Sequence, residues 1–129
     1  MNYLTPQQVL AIHDAVIKRT GGSHGLRDVG LLESAVYRPQ ASYDGGDLYP
    51  TLFEKAAALF HSLLKNHPFV DGNKRTSLAS AGLFLQINNL QLVNTHEKEL
   101  EFALKVENAS LTFEEITLWF KQNTKKLST

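Results

Sequence analysis

Apolar residues recur at helical spacing along nearly the whole chain, and the recurring segments open and close with helix punctuation. Thr5-Pro6-Gln7-Gln8 supplies an N-cap, a proline at the first helical position and a capping-box glutamine; Val9, Ile12, Val16 and Ile17 follow, until Gly21–Gly22. Asp28 can cap a short segment carrying Leu31, Leu32, Ala35 and Val36. Pro39 is expected to end it, because the residue before a proline disfavours helical geometry. From Pro50, Leu52, Phe53, Ala56, Ala57, Leu59, Phe60, Leu63 and Leu64 are apolar on more than one face, as in a central buried helix. The next helix is expected from Gly72–Asn73 through Ile87, with small residues at 79–82 for close packing and Asn88–Asn89 at its end. Thr95 opens a segment with Leu100, Phe102, Ala103, Leu104 and Val106, and Thr112-Phe113-Glu114-Glu115 is a second capping box before Ile116, Trp119 and Phe120. The chain reads as all-α, a compact bundle of about six helices.

One stretch breaks the pattern. Tyr43-Asp44-Gly45-Gly46-Asp47-Leu48 is polar and turn-rich, and is expected to form a flap loop or small hairpin, since Gly45–Gly46 can take positive φ. Leu90–Val93 is too short to assign as a strand. The 129 residues suit one domain, 1–129, which buries roughly two-thirds of its unfolded surface without staples. Cysteine is absent, which excludes disulfides, thiolate zinc sites and a cysteine nucleophile. Residues 1–20 lack the apolar core of a signal peptide, and no apolar run of about 18 residues exists. A cytoplasmic protein without membrane contact is expected. Thirteen basic residues balance 13 acidic ones without a basic stripe, so direct nucleic-acid binding is not expected.

Unusual chemistry gathers between the third and fourth helices, in His67-Pro68-Phe69-Val70-Asp71-Gly72-Asn73-Lys74-Arg75-Thr76. A helix start offers unpaired N–H groups and partial positive charge to an anion. Gly72 permits close approach to the backbone, Lys74 adds a point charge, and Arg75 adds a planar fork matched to phosphate oxygens. Together these point to phosphate. Asp71 would repel a bare phosphate but suits Mg²⁺, which commonly takes one carboxylate together with phosphate oxygens. His67 is placed to act as general base toward an incoming hydroxyl. Phe69 should anchor the loop in the core. Blander roles exist for each residue alone: Asp71 or Asn73 as a helix cap, Lys74 and Arg75 as solvated charges, His67 as a helix-terminal hydrogen-bonder. Their joint occurrence favours the functional reading. His13, His24, His61 and His96 share no metal-ligand spacing with acidic residues, and Gly21–Gly22 and Gly25 read as loop glycines.

The nine residues His67–Arg75 resemble the signature of the Fic/Doc family, most closely its death-on-curing (Doc) branch, the toxin half of toxin–antitoxin pairs. Gly25-Leu26-Arg27-Asp28, Gly30-Leu31-Leu32-Glu33-Ser34-Ala35 and Arg38-Pro39 are similar to that branch as well. The resemblance implies that His67 is the base, that Asp71 holds Mg²⁺, and that Gly72, Asn73 and Arg75 cradle the phosphates of ATP. Most family members transfer AMP and carry glycine where this chain has Lys74. Doc-type members carry lysine there and transfer the terminal phosphate, as a kinase does. The second arginine of AMP-transferring members falls at Leu78, whereas Gly72 follows the general Fic form. Phosphoryl transfer to a Ser or Thr hydroxyl of a protein is therefore expected, a translation elongation factor being the implied target. The alternatives are AMP transfer through the same residues, and a catalytically weak interaction module. Tyr43–Leu48 corresponds in position to the flap that holds the target peptide. The inhibitory motif of many members, Ser or Thr four residues before Glu-Gly or Glu-Asn, is not matched by Thr95/Glu99, Ala103/Glu107 or Ser110/Glu114. A separate antitoxin protein is the expected restraint.

Overall fold

The computed structural model describes residues 1–127. Six α-helices form a bundle: α1 (Pro6–Thr20), α2 (Val29–Tyr37), α3 (Leu52–Asn66), α4 (Asn73–Gln86), α5 (His96–Glu107) and α6 (Phe113–Gln122). The caps act as the sequence implies. Thr5 and Thr112 each accept from the residue three further on and complete capping boxes, and Asp28 and Thr95 cap α2 and α5. Thr51 caps α3 in the same way, accepting from Glu54 N.

The central helix is α3, as expected, packed against α2, α4, α5 and α6. Ala56–Phe60, Leu63 and Leu64 are buried, and Phe60 stacks on Phe102 with centroids 5.2 Å apart while meeting Phe120 edge-on. Rings of this size carry much of a small core's apolar burial. Leu78 also lies in the core, so the position of the second arginine in AMP-transferring relatives does not face the cleft described below.

Three local expectations need qualification. The helix does end before Pro39, α2 closing at Tyr37, but not because Arg38 leaves helical geometry: Arg38 keeps right-handed helical angles (φ −54°, ψ −40°), and Arg38–Gln40 form a 3₁₀ turn. Arg38 is over-determined by its side chain, which donates to Tyr49 Oη, Ser62 Oγ and His61 Nδ1, each at 2.9 Å, and lies over the rings of Tyr49 and Phe113. The flap is a hairpin of β1 (Ser42–Tyr43) and β2 (Gly46–Asp47), but its positive-φ pair is Asp44–Gly45. A two-residue loop of this kind needs left-handed angles at both central residues, and Gly46 pairs with Tyr43 in the ladder. The stretch after α4 does contain a strand, β3 (Leu90–Leu92), paired antiparallel with β4 (Thr124–Lys126).

Candidate active site

The segment joining α3 to α4 is held in shape by contacts from distant parts of the chain. His67 caps α3 in the left-handed region (φ 47°, ψ 58°). A helix end leaves carbonyls unpaired, and Arg27 answers two of them, donating from Nε to His67 O (2.7 Å) and from Nη2 to Asn66 O (2.8 Å). The backbone N–H groups of Arg27 and Asp28 both donate to Pro68 O, and Val70 N donates to Gly25 O. The upstream stretch Gly25–Asp28 is thus the brace of the His67 loop. Phe69 is buried, as expected, with its ring stacked on His13.

Asn73 also serves the loop itself. Its side chain is turned into the loop, where Oδ1 accepts from Phe69 N (3.0 Å) and Nδ2 donates to Phe69 O (2.9 Å). That carboxamide closes the turn, and its Nδ2 also lies 3.5 Å from His67 Nδ1. Gly72 begins α4 at φ +76°, and a Cβ there would stand 2.9 Å from Ile17 Cδ1, so glycine answers protein geometry at this point. The Asp71 carboxylate is exposed; Oδ1 accepts from Gly72 N and Oδ2 from Ser23 N.

His67, Asp71, Gly72, Asn73, Lys74 and Arg75 meet at one cleft of roughly 730 Å³. Its opposite wall is α5, through Glu97, Leu100, Glu101, Leu104 and Glu107, residues at one-face helical spacing. Glu107 reaches across: Oε2 lies 3.6 Å from His67 Nε2 and Oε1 lies 3.3 Å from Lys74 Nζ. Lys65 Nζ donates to the Glu107 carbonyl at 2.9 Å, tying the end of α5 to the end of α3. Arg75 donates from Nη1 to His96 Nε2 at 2.8 Å. No residue of Tyr43–Leu48 lines the cleft. The hairpin is anchored elsewhere, by Asp47 Oδ2 at 3.4 Å from the buried Lys55 ammonium.

Among the residues above, Glu107, Ser23, His13 and Arg27 carry no assigned role in the sequence reading. The periodicity of α5 marks a face, but nothing in it says that this face looks at Asp71–Arg75.

A helical domain in which a histidine-bearing loop leads into a phosphate-suited helix start defines the class, and the Fic/DOC family model matches residues 3–85. The chain belongs to that family. It is 58% identical over 72 residues to Toxin Doc of Mycolicibacterium smegmatis, a match covering 56% of this chain and 55% of the relative, about half the relative's length. It is 38% identical over 97 residues to Protein kinase doc of Escherichia phage P1, covering 75% of this chain and 76% of that protein.

Proposed function

We propose that this chain is the toxin of a toxin–antitoxin pair and that it transfers the γ-phosphate of ATP to a serine or threonine hydroxyl of a protein. The observation that carries the reading is Lys74 in the first turn of α4, a cation inside the cleft that shares the Glu107 carboxylate with His67. A base for the hydroxyl and a point charge for the transferred phosphate are thereby neighbours, and positioning with charge stabilisation is most of what phosphoryl transfer needs. The names of the two relatives, a toxin and a protein kinase, support the same reading. His67 takes the hydroxyl proton, the oxygen attacks the γ-phosphorus, and the bond from that phosphorus to the β–γ bridging oxygen breaks, releasing ADP. A translation elongation factor is the proposed target, with the cytoplasm as the site of action and an antitoxin protein as the restraint.

Asp71 would hold Mg²⁺. Among the described residues no group of three or more His, Asp or Glu could cage a metal, so the fitting ion is one that takes a single carboxylate and the nucleotide's own oxygens. Bound there, Mg²⁺ would neutralise phosphate charge. The cleft needs that help: Asp71, Glu97, Glu101 and Glu107 outnumber Lys74 and Arg75.

Incubation of the protein with Mg²⁺ and cell lysate, using ATP labelled at the γ- or the α-phosphate, tests the reading. Label from the γ-position on a protein band, lost in His67→Ala, is the expected result. Asp71→Ala should raise the Mg²⁺ requirement, and an unchanged metal dependence would remove it as the ligand. The second reading is transfer of AMP by the same residues, Gly72 being of the general Fic form; label from the α-position would establish it.

A further inference from the structure

We propose that His13 is a positioning residue for Asp71, and that α1 and the loop after it form the support that aims this carboxylate at a divalent cation. The inference rests on the reading of Asp71 as the Mg²⁺ ligand. A single carboxylate on an exposed loop swings freely unless something fixes both its main chain and its side chain. Both are fixed here. His13 is 5% exposed, and its Nε2 lies 2.8 Å from Asp71 O. A carbonyl carries no proton, so Nε2–H is the donor. The ring is clamped in turn, stacked on Phe69 at 3.8 Å between centroids and 4° between planes.

The carboxylate is oriented from the other side. Gly72 N donates to Oδ1 at 2.9 Å and Ser23 N donates to Oδ2 at 3.1 Å, which leaves acceptor capacity on each oxygen for a cation. Gly22 makes the second contact possible. Its φ is +108°, and a Cβ there would stand 2.6 Å from Asp71 Oδ2. Outer partners of a metal ligand commonly govern affinity tenfold or more without touching the ion.

The test is calorimetric titration of the purified protein with the non-hydrolysable nucleotide AMP-PNP, with Mg²⁺ and with EDTA, which reads binding and not turnover. The wild type is expected to bind more tightly with Mg²⁺. His13→Phe fills the same stacking space without the donor, and should raise the Mg²⁺ concentration for half-maximal tightening by about tenfold. His13→Gln, which restores an N–H donor, should recover most of the loss. Gly22→Ala, on an exposed loop where the new Cβ presses on Asp71 Oδ2 and only touches Ile17 at ordinary contact distance, should reproduce the His13→Phe defect if the latter variant folds poorly. Normal Mg²⁺ dependence in folded His13→Phe, or in Gly22→Ala, overturns the positioning role while leaving Asp71 as the ligand. No Mg²⁺ effect in the wild type overturns the ligand assignment itself, and the inference with it.

Discussion

Arg27 is exposed, yet its guanidinium holds the last carbonyl of α3 and that of His67, the residue that caps it. Arg27→Ala should cost about 1 kcal/mol of stability, the net scale of an ordinary hydrogen bond, since solvent screens the charge of an exposed guanidinium. It should lower transfer more than that loss explains, because the loop carrying the base loosens; urea unfolding beside the γ-label assay separates the two effects. At this scale the sequence was legible wherever chemistry is contiguous. His67, Asp71, Gly72, Lys74 and Arg75 lie within one short run, and the structure joins them at one cleft. Asn73 also lines that cleft, but the bonds its side chain makes to Phe69 were not legible, because a side chain's partner cannot be read from its neighbours in sequence. The supports were silent for a related reason. His13 meets Asp71 across 58 residues, Ser23 across 48, and Arg27 meets His67 across 40.

Among the elements, α3 carries a pH-sensitive joint with the 3₁₀ turn. His61 lies on α3 beside the Arg38 guanidinium; burial first, then Arg38 and Lys65, hold its pKa below the ordinary 6.5. The unfolded chain therefore binds the proton more readily than the folded one. Stability is full above about pH 6.5 and declines as pH falls below it, by at most about 1.4 kcal/mol per unit for this one group. Urea unfolding at pH 7.5 and 5.5 should show the decline, and His61→Gln should make that part of it flatter. Helix starts were legible because caps are local chemistry: Thr5, Asp28, Thr95 and Thr112 all do what their residue types allow. The β3–β4 ladder was not. Leu90 pairs with Lys126, and three-residue strands carry no periodic signal of their own.

For the molecule as a whole, the cleft is a seam between the α3–α4 junction and α5, which lies beyond the span matched by the family model. Restraint by a separate antitoxin belongs to the proposed function, as the toxin name of one relative suggests. Co-expression with the neighbouring gene of a two-gene operon should yield a co-purifying complex with suppressed transfer; a free and fully active toxin from such cells would count against that assignment. A last consequence follows from the left-handed backbone at His67. Glycine is at ease there, whereas a side chain costs about 1 kcal/mol or more. His67→Gly should therefore melt at a higher temperature than His67→Ala, and under the proposed function neither should transfer phosphate. The backbone that presents this histidine would thus be sturdier with no side chain there at all, so the loop holds its ring out at the expense of its own resistance to heat.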